Sequence, residues 1–256
     1  MPITFDFRGR VVLVTGGVRG VGRGIADAFA EAGATVVTAA RHAPPPASGA
    51  GSVRAADLRD PDQAEALVLG VAADHGRLDI VVNNAGGAPH VTAAEGSPRY
   101  HAAVIDLNLI APLTVARAAH AVMAGQDGGG QILMISSVSA RRPSPGTPSY
   151  GAAKAGLENL TATLAVEWAP KVRVNALTVG PVRTEKADEH FGDAAGVAAV
   201  GATVPMGRMA EPADVGNACL LLASPLAAYI TGACLRVDGG GERPAFLDAA
   251  TARRPR

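Results

Sequence analysis

An α/β fold, built as a doubly wound parallel β-sheet of about seven strands with helices on both faces, is what this sequence predicts. Short β-branched runs alternate with longer stretches of helical periodicity. The runs are largely apolar, and strands this apolar must be covered on both sides, as in a parallel sheet wrapped by helices. Right-handed crossovers leave few topologies for such a chain, and the doubly wound sheet is the natural one.

The elements follow in order. Residues 11–15 (VVLVT) read as the first strand, and 22–32 as a helix ended by Gly33. The second strand is 35–39 and a short third is 52–56. A helix at 61–75 opens on Pro61, a residue suited to a first helical turn. The fourth strand is 79–82, and a long helix spans 100–123. The fifth strand is 131–135, and a helix at 149–168 stops short of Pro170. The sixth strand is 172–177, a helix covers 212–223, and the seventh strand is 233–237. Residues 43–51 (APPPASGAG) read as a surface loop. Residues 185–204 are rich in Ala and Gly with few large apolar side chains, which predicts a mobile segment with helical turns. Neither a repeat nor a linker divides the chain, so residues 1–256 read as one domain. Its tail, 243–256, is expected to be loose or to lie on a neighbouring subunit.

Composition narrows the function. Hydrophobic residues make up 48% of the chain and charged residues 18%, so a folded core is expected and disorder is not. Lys+Arg and Asp+Glu both total 23, giving a formal charge of zero. Such a surface gives no electrostatic reason to expect nucleic acid or an anionic membrane as partner. Cys219 lies in an apolar run and Cys234 in the last strand. Both read as buried small hydrophobes rather than a disulfide. No Cys/His cluster has zinc spacing, so no metal is expected. Asp6 precedes any apolar run, which argues against a signal peptide. No apolar stretch reads as the roughly 20 residues a membrane span needs. A soluble cytoplasmic protein is the resulting expectation.

The first strand runs straight into Thr15-Gly16-Gly17-Val18-Arg19-Gly20-Val21-Gly22, and a helix follows. Residues without Cβ let backbone N–H groups approach a pyrophosphate, and a helix start favours an anion. A turn that merely connects strand to helix is the bland alternative, but the strand–turn–helix context favours a phosphate cradle. Further on, Tyr150-Gly-Ala-Ala-Lys154 opens a helix and sets the two side chains on one face. A nearby ammonium is expected to lower the phenol pKa from its usual value of about 10, as an acid/base catalyst needs. Alone, such a pair occurs by chance in many helices.

The G-x-x-x-G-x-G spacing and this Tyr/Lys pair resemble the short-chain dehydrogenase/reductase family, a Rossmann-type fold, from Gly9 to about Gly240. The resemblance implies that Ser137, 150 − 137 = 13 residues before Tyr150, donates a hydrogen bond to the substrate oxygen. It implies that Asn108 holds a water on a proton path from Lys154, although a capping or core role is also open. It implies that Asp57 and Leu58 sit by the adenine, that Asn84, Ala85 and Gly86 line the cofactor, and that Asn83 is structural. The segment Asn175 to Thr184 would hold the nicotinamide carboxamide through Gly180, Val182 and Thr184. Val179 stands where the family has proline, so Val182 and Thr184 are the less firm contacts.

The expected cofactor is NADP rather than NAD. The second strand ends in Ala39-Ala40-Arg41-His42, with no acid to bind ribose hydroxyls, and Arg41 and Arg19 are suited to a 2′-phosphate. Both arginines also fit ordinary surface positions. The implied reaction interconverts a ketone and a secondary alcohol, with Tyr150 as the proton donor or acceptor. The substrate wall is expected from 87–92, 140–148 and 185–204, with His90, Arg141, Arg142 and His190 on offer. Small ketones, sugar-derived ketones, 3-oxoacyl thioesters and steroids all stay open. Relatives suggest a homotetramer or homodimer, and Leu157, Leu160 and Leu164 serve either that contact or the core. Two other readings are a cofactor-retaining epimerase or dehydratase and a non-catalytic NADP-binding regulator. Both are disfavoured, by the short chain and by the intact Asn108, Ser137, Tyr150 and Lys154.

Overall fold

The computed structural model describes residues 5–42 and 52–251. Among these residues, seven parallel strands form one sheet in the order β3-β2-β1-β4-β5-β6-β7. They are β1 (Val11–Thr15), β2 (Thr35–Ala40), β3 (Ser52–Ala55), β4 (Ile80–Asn83), β5 (Gly130–Ser137), β6 (Val172–Val179) and β7 (Cys234–Val237). The chain winds outward from β1 to β3, then returns to lay β4 on the other flank of β1. That reversal opens a crevice beyond the carboxyl ends of β1 and β4.

The inner strands of the sheet are buried on both faces, while the edge strands β3 and β7 are partly exposed. On one face, Val11, Leu13, Val81, Ile132 and Val174 pack under α2 (Pro61–His75), α4 (Ala111–Met123) and α5 (Pro148–Trp168). On the other, Val12, Val14, Val82, Leu133 and Leu177 pack under α1 (Gly20–Glu31) and α8 (Pro212–Ala223). Leu157 and Leu164 of α5 are fully core, with Leu160 packed against them, which resolves the two readings of that face in favour of the core. Cys219 is buried as expected, but Cys234 is only half-buried because β7 is an edge strand.

Several boundaries depart from the sequence reading. α1 begins at Gly20, two residues earlier than the apolar pattern suggests, because its first turn is glycine. β5 and β6 run on through Ser136, Ser137 and Thr178, polar residues that an apolar criterion leaves out. The predicted 100–123 helix starts at Pro98, after an N-cap by Ser97, and contains a π turn at Asp106–Ile110 between α3 (Pro98–Ile105) and α4. Asn108 Nδ2 donates to the Val104 carbonyl at 2.9 Å. In a regular helix that carbonyl serves the backbone N–H of residue 108, so the side chain helps to widen the turn. The continuous helix from Pro98 to Met123 is 26 residues long and apolar enough to cross a membrane, contrary to the expectation that no such stretch exists. Here Val115, Ala116, Ala119 and Met123 bury it in the core instead.

Residues 185–204 form two helices, α6 (Ala187–Phe191) and α7 (Ala194–Thr203). The tail holds a short helix, α9 (Phe246–Ala249). The expected surface loop at 43–51 and the last residues, 252–256, lie outside the described residues.

Candidate active site

The carboxyl ends of the strands enclose a cleft of ≈ 660 Å³. The glycine-rich turn forms one wall. Gly16 has φ +65°, a conformation that L side chains rarely adopt. A Cβ on Gly22 would lie 2.2 Å from the Gly16 carbonyl oxygen, so only glycine lets the turn close on itself. The end of β4 clamps this turn. Thr15 Oγ1 accepts from the N–H groups of Asn84 and Ala85, each at 3.0 Å, and Asn84 Nδ2 donates to the Thr15 and Gly16 carbonyls. Asn84 is thus a loop clamp as well as a wall. Asn83 points away and donates to the Pro112 carbonyl on α4, a structural role.

The residues expected to meet a dinucleotide line this one cleft. Gly16, Arg19, Gly20, Val21 and Gly22 come from the turn, Arg41 from the end of β2, and Asp57 and Leu58 from the segment after β3. Asn84, Ala85 and Gly86 follow β4, and Gly180, Val182 and Thr184 follow β6. Arg41 and Arg19 are exposed at the rim, with no acidic residue at 39–42. The Asp57 carboxylate is already engaged by Arg59 at 2.6 Å. That pair holds its pKa down at about 2 against a smaller opposing effect of burial. A dinucleotide fits what is present: a glycine-rich anion cradle at a helix start, a cleft of ≈ 660 Å³ and two arginines on its rim.

At the far end, α5 begins on Pro148 and presents Tyr150 and Lys154 from one face. Lys154 Nζ lies 5.5 Å from the Tyr150 ring centroid and donates to the Ile135 carbonyl at 2.8 Å. Burial pulls the Lys154 pKa down to about 8. Burial also pushes Tyr150 above the usual phenol value, and a hydrogen bond with Ser137 only partly offsets it. This corrects the sequence expectation. Burial is the larger influence on this phenol, which rests protonated, while Nζ sits over the ring and donates to a carbonyl.

Ser137 ends β5 and lines the cleft beside Tyr150. Asn108 lies behind the wall, fully buried. Its Oδ1 accepts from the Gly87 N–H, and its Nδ2 donates to the Gly87 and Val104 carbonyls, each at 2.9 Å. Both amide hydrogens are therefore taken, and what remains for a water is acceptor capacity on Oδ1. A Cβ on Gly86 would fall 2.6 Å from that oxygen and 3.4 Å from Lys154 Nζ, so Gly86, Asn108 and Lys154 close on one point.

Of the candidate substrate residues, His190 lines the cleft with Phe191. His90 packs its ring against Gly146. Arg141 and Arg142 are engaged by Glu158 and Glu242, at 2.9 and 2.8 Å. Among the described residues, no cluster of three or more His, Cys, Asp or Glu could hold a metal ion.

Sequence reading missed Glu158. One turn beyond Lys154, its carboxylate accepts from Thr178 Oγ1 (2.6 Å), Ser136 Oγ (3.1 Å) and Arg141 Nε (2.9 Å). It ties β5, β6 and the 138–140 turn to the helix that carries Tyr150. The polar residues at two strand ends were the signal, since they require a partner. Glu158→Leu should cost about 2 kcal/mol of stability by leaving those donors unmatched, and Glu158→Gln should recover most of it. Urea denaturation of both variants checks this, and an unchanged midpoint for Glu158→Leu would contradict it.

Comparison with known proteins places these features among relatives. The family described as Enoyl-(Acyl carrier protein) reductase matches residues 16–242. A 2-dehydro-3-deoxy-D-gluconate 5-dehydrogenase of Pseudoalteromonas atlantica is 34% identical over 247 residues, covering 92% of this chain and 97% of its own. A 3alpha-hydroxysteroid dehydrogenase of Mediterraneibacter gnavus is 34% identical over 246 residues, 91% of this chain and 96% of its own. The ligand-free aldohexose dehydrogenase of Thermoplasma acidophilum superposes with a TM-score of 0.88 at 30% identity, covering 99% of this chain and 100% of its own.

Proposed function

The chain belongs to the short-chain dehydrogenase/reductase family of NAD(P)-dependent oxidoreductases, and on that premise we propose that it interconverts a ketone and a secondary alcohol with NADP. The observation that carries this reading is the meeting of Ser137, Tyr150 and Lys154 in the same cleft as the glycine cradle. When bound, a nicotinamide dinucleotide held by the glycine turn and the cleft walls would supply the hydride chemistry. Ser137 and Tyr150 hydrogen-bond the substrate oxygen between them. As negative charge builds there, Tyr150 passes its proton to that oxygen, which suits a phenol held protonated by burial. Lys154 keeps a positive charge beside the phenolate that results. Asn108 holds Gly87 against the π turn and so shapes the floor beneath Lys154. An NADPH-consumption screen across ketones, run beside NADP-dependent alcohol oxidation, tests the reaction. Activity with none of them would set the reading aside.

The preference for NADP rests on Arg41 and Arg19 at the adenosine end. Arg41→Asp is expected to lower the ratio of kcat/KM for NADPH over NADH by about 30-fold, by replacing a phosphate partner with a repelling charge. Steady-state kinetics with both cofactors measure it. Equal use by the unmodified protein, or an unmoved ratio in the variant, would count against the assignment. Assembly into a homotetramer or homodimer is part of the same proposal. It is supported by the exposed Leu226, Tyr229 and Ile230 beside β7, and light scattering measures it.

A further inference from the structure

On the reading that the cleft takes a dinucleotide, we infer that Glu185 is a built-in competitor for the pyrophosphate, holding the anion position on α1 until the cofactor displaces it. The backbone N–H of Gly20 donates to Glu185 Oε2 at 3.2 Å, a contact between residues 165 apart in sequence. Gly20 is the first residue of α1, a 12-residue helix whose leading N–H groups and dipole attract negative charge. The helix provides no anion of its own. Its N-cap, Arg19, makes no side-chain cap hydrogen bond, and its first turn holds no acid. The negative charge at this terminus comes from the segment after β6.

That segment is seated on the turn by more than one contact. The Thr184 side chain lies over Gly20, where an added Cβ would meet Thr184 Cγ2 at 3.5 Å. Thr184 Oγ1 accepts from the Lys186 N–H, and the Thr184 carbonyl accepts from the Ala187 N–H, which starts α6. Lys186 then pairs with Glu189 at 2.8 Å, and the Glu189 carboxylate lies in the field of Arg19. His190 and Phe191, at the end of α6, form part of the cleft wall. One carboxylate of this segment, Glu185, therefore reaches the positive end of the phosphate turn, while Glu189 is held by Lys186.

A pyrophosphate brings two negative charges to the same N–H groups, and a carboxylate and a phosphate cannot both accept there without repulsion. Binding must displace Glu185, and with it the first anchor of residues 184–191. Two consequences follow. The affinity for dinucleotide is lower than the bare turn would give, and arrival of the cofactor frees the wall that carries His190 and Phe191.

The test is the Kd of NADPH for the full-length protein and its Glu185→Gln variant, measured by NADPH fluorescence at about 20 mM and about 0.5 M salt. Glu185 is exposed, so the substitution spares the fold. Kd should fall about fivefold in the variant at low salt, the size expected for one exposed like-charge contact, and the difference should shrink at high salt. Without cofactor, hydrogen exchange across 185–191 should be faster in the variant. An equal or higher Kd in Glu185→Gln would overturn the inference while leaving the dinucleotide reading intact. Failure of the unmodified protein to bind either NADPH or NADH would overturn that reading, and this inference with it.

Discussion

Replacing Tyr150 by Phe is expected to lower kcat by at least about 10³-fold and to leave the Kd for NADPH within about twofold. Phe keeps the ring whose centroid lies 5.5 Å from Lys154 Nζ and keeps the N-terminal turn of α5. It removes the O–H alone. In the proposed reaction that group is the proton source, and the Ser137 hydroxyl cannot replace it, because an alcohol has no comparable acidity. Single-turnover rates beside fluorescence titration separate the two quantities. A variant with full turnover would show that the proton comes from elsewhere, and the assignment of Tyr150 would fail.

Lys154→Met should lower kcat by about 10²-fold and also remove a pH effect on stability. The unfolded chain holds the Lys154 proton up to its ordinary value of 10.5, whereas the folded protein releases it near 8. At pH 7 both states are protonated, and the native state carries the whole penalty of a buried ammonium. From about pH 8 to 10.5 the unfolded state binds the extra proton, so this group makes the protein more stable as pH rises. The fall from 10.5 to about 8 corresponds to on the order of 3 kcal/mol. Met has no such proton, so the variant should gain relative stability at pH 7 and lose that gain by about pH 10. The Ile135 carbonyl left without its partner subtracts a constant from both ends. Cys219, buried and pushed far above the usual thiol value, gives an opposing trend that is common to both proteins and cancels in the difference. Urea denaturation at several pH values measures it, and curves that stay parallel from pH 7 to 10 would refute the account.

Much of this was legible beforehand, for reasons that differ by element. β1, α2 and α8 were read to the residue, because VVLVT is a β-branched, mainly apolar run followed by glycine and both helices open on proline. The cofactor-facing residues converge because the doubly wound order brings the carboxyl ends of β1, β2, β4 and β5 to one crevice, and the motifs sit at those ends. The ends of β5 and β6 were lost because Ser136 and Thr178 look like loop residues until Glu158 is found beneath them. Helices α6 and α7 were blurred into one segment because Ala and Gly carry no clear amphipathic pattern. The direction of the Tyr150 shift was out of reach, since desolvation depends on what surrounds a side chain and no local spacing records it.

The π turn at Asp106–Ile110 has a bearing on how this chain tolerates change. One additional residue in a helix advances everything after it by about 100°. Upstream of that offset, Val104 faces inward; downstream, Val115, Ala119 and Met123 do. Deleting a single residue between them would restore a regular spiral and turn either Asn108 from the Gly87 backbone or the whole of α4 from its neighbours. The floor of the cleft and the packing of a distant layer are thus locked in phase, and a length change here would strike both at once where a substitution would strike one.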